Sequence, residues 1–151
     1  MNTQQHNTPI LPVRSIDAAQ LIIARWSDGE TISIDTIHQL LFLIECEVQK
    51  TYGVALFVDG FIARSGPKAR ALHEILGNYA YDDDAPTIDN TTYIGGSFAN
   101  INNTTAAIIQ DMATHFADTP DWRIAEICTN NPFYARTQYG DVIELPLHAA
   151  Q

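Results

Sequence analysis

Positive charge is scarce in this chain: eight Lys and Arg stand against eighteen Asp and Glu, a formal net charge of −10 with His neutral. Contact with nucleic-acid phosphates would begin from a repulsive field, which argues against direct nucleic-acid binding. Cysteine is scarcer still. Cys46 and Cys128 are the two in the chain, in apolar patterns and without CxxC or Cys/His spacing. They are expected as small buried thiols in a reducing compartment, with a disulfide between them as the alternative. Long hydrophobic runs are missing too. The longest, Leu40–Ile44, is stopped by Glu45, far short of the ~20 residues that cross a bilayer. The start of the chain is polar and Pro-containing, with no basic residue leading into an apolar block, so it does not read as a signal peptide. The expected location is cytoplasmic.

What is present fits one ordinary domain: 151 residues, 46% hydrophobic and 17% charged. The organisation expected is a flexible N-terminal tail over 1–13 and a single globular domain over 14–147, with an acidic loop at 81–100. The charge is unevenly spread. No Lys or Arg lies between Ala71 and Trp122, whereas Glu74, Asp82, Asp83, Asp84, Asp89, Asp111, Asp118 and Asp121 all do. Acidic excess of this kind keeps a domain soluble, and concentrated in one segment it also steers a basic partner and repels acidic ones.

Periodicity predicts mainly helices. The first spans about Ser15 to Trp26, with Ser15 as N-cap, Asp17 in the first turn and Asp28-Gly29 as its end. The second spans Ile34 to Tyr52, capped by Ser33 or Asp35, with Ile34, Ile37, Leu41, Ile44 and Val48 at steps of three and four. It is the most apolar and the expected centre of packing, and Gly53 ends it. Val54–Phe57 and Gly60–Ala63 flank Asp59-Gly60 as a small hairpin or irregular connection. Ser65-Gly66-Pro67 is expected to open a third helix towards Tyr79, since Pro suits a first helical turn. Further helices are predicted over 103–117 and 120–128, and a terminal hairpin from Phe133–Arg136 and Asp141–Leu145. The fold class expected is mainly α with a small β-hairpin component, that is, α+β.

Chemical motifs are weak. Asp82, Asp83, Asp84 and Asp89 lack the alternating spacing of a Ca2+ loop and read as a solvated turn. His73-Glu74 begins like a zinc-hydrolase motif, but Gly77 stands where the second His would be. Gly95-Gly96-Ser97 lacks the Lys of a phosphate loop and reads as a flexible turn. Cys46 with His38, or Cys128 with His115, would be needed as spatial neighbours for a thiol nucleophile, and Cys46 sits in a core pattern where thiols are inert. No cofactor and no metal is expected.

Several blocks in order resemble a known family. Ile16-Asp17-Ala18-Ala19 and Thr36-Ile37-His38-Gln39-Leu40-Leu41-Phe42 are followed by Tyr52-Gly53-Val54-Ala55-Leu56-Phe57. Then come Phe61-Ile62-Ala63-Arg64-Ser65-Gly66-Pro67, and later Thr114-His115 with Pro120-Asp121-Trp122. Together, over about residues 14–130, they resemble the Panacea domain. The resemblance implies a compact, mainly helical domain of the kind found in antitoxins of toxin–antitoxin pairs, in phage-associated proteins and in a protease adaptor. Arg64-Ser65 departs from the family's aromatic or basic context before Gly-Pro, and the 81–100 loop is long. Gly66, Pro67, Thr114, His115, Pro120 and Trp122 carry the resemblance and are expected to be structural. Trp122 is expected as a core anchor, and His115 as a group holding a helix junction.

The function expected is non-enzymatic: an antitoxin-like protein that neutralises a basic toxin by protein–protein contact. Its acidic segment would steer, through Asp82, Asp83, Asp84 and Asp89, and aromatics at its edge, Tyr79, Tyr81 and Tyr93, would anchor. Phe57 and Phe61 are further aromatic candidates, with core filling preferred for Phe57. Two alternatives stand beside this: a phage-encoded inhibitor of a host defence protein, acting as an acidic nucleic-acid mimic, and a small enzyme using His115 with Asp111 or Asp118. Self-association is left open.

Overall fold

The structure, a computed structural model, describes residues 9–76 and 88–149. It is mainly helical with a small two-stranded antiparallel hairpin, the α+β class expected. Tyr79, Tyr81, Asp82, Asp83 and Asp84, and the far end of the expected third helix, lie outside the described residues.

Helix α1 (Ser15–Ala24) is buried from Ser15 to Ile23. Ser15 is its first residue rather than its cap, and Arg14 at the N-cap position makes no side-chain cap. The orphan amides are met from a distance: Asp59 accepts from Ser15 N at 3.0 Å and from Ser15 Oγ at 2.6 Å. The other oxygen-bound partner of Asp59 is Ala71 N at 3.0 Å, so one carboxylate serves the starts of two helices. Asp17 pairs with Arg14 across one turn.

Helix α2 (Ile34–Tyr52) has the bounds the periodicity predicts. The Ser33 side chain accepts from Thr36 N, and Gly53 closes the helix with φ 69°, a left-handed conformation that glycine takes without steric cost. Ile37, Leu40, Leu41, Phe42, Ile44 and Val48 are fully buried. Glu45 is buried with them, its two oxygens accepting from Leu56 N at 2.7 Å and Phe57 N at 2.9 Å.

That contact explains why Val54–Phe57 does not pair with the segment after Asp59-Gly60. Phe57 instead bridges Val13 in parallel, so residues 9–13, expected in a flexible tail, are part of the fold: Val13 N bonds Leu56 O and Leu11 N bonds Thr105 Oγ1. The hairpin lies one step later, β1 (Phe61–Ala63) against β2 (Pro67–Ala69), with Phe61 opposite Ala69 and Ala63 opposite Pro67. Gly66-Pro67 therefore turns a hairpin and enters a strand rather than opening a helix, and α3 (Arg70–Leu76) follows directly. Phe42, Phe57 and Phe61 meet edge to face at 5.4 and 5.9 Å between ring centres, which places Phe57 and Phe61 in the core.

Residues 88–100 lie against α1. Gln20 accepts from Ile94 N at 2.7 Å and donates to Thr92 O at 3.0 Å, and Asp17 accepts from Ser97 N at 2.8 Å. Gly96 sits so close that a Cβ there would be 2.2 Å from the Ile16 carbonyl oxygen. The Gly95-Gly96-Ser97 stretch is thus a packing contact and not a free turn.

Helix α4 (Asn103–Phe116) is capped by Asn102, whose side chain accepts from Thr105 N. Helix α5 (Asp121–Thr129) packs on α2 through Ile124 and Cys128. The expected terminal hairpin is not formed. Asn131 accepts from Phe133 N and Tyr134 N and starts a short helix, α6 (Pro132–Ala135), while Val142 bridges Ile62 on the free edge of β1. A last short helix, α7 (Pro146–Ala149), follows. Among the described residues, no helix is long and apolar enough to cross a membrane.

Candidate functional site

The residues that carried the family resemblance fall in separate places. Gly66 and Pro67 are buried at the hairpin turn, where Gly66 N donates to Tyr134 Oη at 2.9 Å and ties the turn to α6. Pro120 precedes α5 as its N-cap residue. Trp122 is 67% exposed and is no core anchor, because α5 turns Ile124 and Cys128 inward instead. The His115 side chain makes no hydrogen bond among the described residues, and its ring stands 5.1 Å from that of Phe116. It does not tie a helix junction. Thr114 lines a small cavity of about 170 Å³ with Ile22 and Trp26, while His115 faces a different one.

That second concavity is an apolar groove of about 490 Å³ between α2, α4 and α5. Leu43, Cys46, Met112, Phe116 and Ile127 line it, and Glu47, Asp111 and His115 complete its lining as exposed polar groups. The Cys46 thiol is pushed up to about 12 by burial and by the neighbouring Glu45 charge, so it is held as an unreactive thiol. Cys128 is pushed up to about 12 by burial as well, and both cysteines are free. No hydrogen bond joins His115 to Asp111 or Asp118 among the described residues, which leaves an acid/base pair there without supporting geometry.

A third concavity, of about 420 Å³, is lined by Ile34, Ile75, Leu76, Ile88, Ile94 and Tyr93. Tyr93 is 75% exposed, as a recognition aromatic must be, and Ile75 beside it is also exposed. Asp89 serves its own loop. It accepts from Thr91 N at 2.9 Å and Thr91 Oγ1 at 2.6 Å, and those bonds hold its carboxyl below the usual range.

One polar cluster runs from the interior to the surface and was not singled out from the sequence. Lys68 on β2 is buried and pairs with Asp35 at 2.6 Å. His38, fully buried one turn along α2, accepts from Ala69 N through Nδ1 at 3.0 Å, so its proton sits on Nε2, an atom with no hydrogen-bond partner. His73 stands 6.2 Å away between ring centres, with its Nδ1 also unpartnered. Burial, with the Lys68 charge second, pushes His38 down to about 3. The signal was legible in principle: Asp35 and His38 stand three apart on α2 and so share a side of the helix, His38 buried and Asp35 half exposed. Among the described residues, no three His, Cys, Asp or Glu side chains gather as a metal site.

Compared with protein-family models, curated proteins and solved structures, the chain matches none of them.

Proposed function

We propose that this protein is an antitoxin-like binding module that neutralises a basic partner protein by covering its surface. The observation that carries the reading is the pairing of apolar concavities with uncompensated acidic charge. The stretch from Ala71 to Trp122, without one Lys or Arg, supplies Tyr93 and Ile75 at one cleft and Asp111, Met112 and Phe116 at another. Apolar and aromatic anchors give affinity, and the surrounding carboxylates give rate and selectivity for a basic surface. The ordered blocks that resemble the Panacea domain support the same reading.

The test is affinity capture from the native host at low and moderate salt, followed by association kinetics with the retained protein. One basic protein held in stoichiometric amount, with association slowed several-fold when Asp82, Asp83 and Asp84 are replaced together by Asn, is the expected result. Absence of any stoichiometric partner overturns the reading. A partner that is displaced by duplex or single-stranded nucleic acid would move the assignment to inhibition by phosphate mimicry.

A further inference from the structure

We propose, resting on the partner reading above, that the groove between α2, α4 and α5 is where the partner docks, and that it receives a short amphipathic helix with Lys or Arg flanking its apolar side chains. Helix-in-groove recognition requires an apolar trough and a rim of complementary charge, and both are present. The floor is built from Leu43, Met112, Phe116 and Ile127, all in contact with the core yet, Leu43 apart, only partly buried. Methionine suits such a floor because its unbranched side chain reshapes around different occupants.

The rim decides the sign of the partner. Glu47 on α2 and Asp111 on α4 are exposed on the two helices that wall the groove. The ion pairs among the described residues are Arg14–Asp17, Lys68–Asp35 and Arg123–Glu126, so neither rim carboxylate is engaged with a cation. Among the described residues, the Glu47 carboxylate accepts only from the Thr51 hydroxyl, 3.1 Å away on the next turn. Asp118, just after α4, and Asp121, the first residue of α5, are exposed and carry the same sign of charge. Of the bases nearest in sequence, Lys50 is exposed one turn beyond Glu47 on α2 and Arg123 is paired with Glu126, so acid still outnumbers base around the groove. A second copy of this chain, itself at −10, would bring acid to acid and is disfavoured as the occupant. A basic helix removes the imbalance and covers the apolar floor at once.

The experiment is a titration of isotope-labelled full-length protein, followed by backbone amide resonances, with two synthetic helices of about 14 residues, roughly four turns. Both carry Leu at positions spaced three and four apart. One has Lys at the remaining sites and the other Glu. The expected result is saturable shifts at Leu43, Cys46, Met112, His115 and Ile127 with the Lys peptide and none with the Glu peptide. Replacing the exposed pair by Glu47→Gln and Asp111→Asn, which leaves the core untouched, should weaken the Lys peptide about tenfold. Equal binding of both peptides, shifts confined to the Tyr93 cleft, an unchanged affinity in the double variant, or a dimer in sedimentation that buries Met112 would each overturn the proposal. If the host protein is still captured in stoichiometric amount while the double variant and the peptides show no effect at the groove, the docking site is wrong and the partner reading survives. If the groove takes the Lys peptide but no host protein is captured, the partner reading fails alone.

Discussion

His38 shows how a single buried side chain sets a pH response. Its ordinary value of 6.5 is pushed down to about 3 in the folded chain, chiefly by burial. The unfolded chain therefore binds a proton between these limits that the folded chain refuses, and stability falls as pH drops from about 6.5 towards 3. The slope from one such group is about 1.4 kcal/mol per pH unit. Urea denaturation at pH 7 and pH 4.5 should show that loss in the wild type, and His38→Gln, which keeps an acceptor for Ala69 N, should reduce it. An identical pH dependence in the two proteins would refute the assignment. Glu45 makes a second prediction at this scale. Each of its oxygens meets a backbone N–H of the 56–57 segment, so Glu45→Gln sets an amide donor against one of them. A loss of about 2 kcal/mol in unfolding free energy is expected, since an unsatisfied buried donor carries its full desolvation penalty.

Among the elements, helices of strong period were legible and connections governed by distant partners were not. The 34–52 helix has an unbroken apolar stripe, a Ser cap and a terminal Gly, all local signals, and its bounds agree with the structure. Helix α1 begins where its periodicity places it, at Ser15, but the group that meets its first amide is Asp59, which no window around residue 15 contains. Gly66-Pro67 carries the local signal of a helix start, yet Pro suits both a first helical turn and a strand position where no amide is needed, and only the pairing with Ala63 decides. In place of a terminal hairpin, Asn131-Pro132 supplies a capping signal that starts a short helix. Of the candidate site, exposed Tyr93 was legible, while the groove was not, because it needs three helices to be assembled first. Close packing gives an element-level test. Gly96→Ala forces a methyl against the Ile16 carbonyl and should lower the melting temperature by several degrees, the 88–100 segment losing amide protection first. Gly53→Ala meets no neighbour and should cost only about 1 kcal/mol, the price of its left-handed φ. Equal effects of the two would show that the 88–100 segment yields readily.

For the whole molecule, the charge arithmetic was fully legible and its geometry was not. A chain with a sequence pI near 4.6 carries its net negative charge at neutral pH and loses it as the pI is approached. Partner association should therefore slow steeply with added salt and weaken as pH falls towards 4.6, while solubility passes through a minimum there. Stopped-flow association across a salt series checks the first expectation. A rate independent of salt would remove electrostatic steering from the account.

The carboxylate shared between the starts of α1 and α3 has a consequence for the order of events during synthesis. A ten-residue helix has little stability alone, and the partner for its first amide lies 44 residues further along. When α1 leaves the ribosome, the group that seats it has not yet been made. Helix α1 thus waits in the nascent chain until Asp59 emerges, after α2 has been made, and a translation pause placed before that residue would hold an apolar helix open to whatever chaperone is nearest.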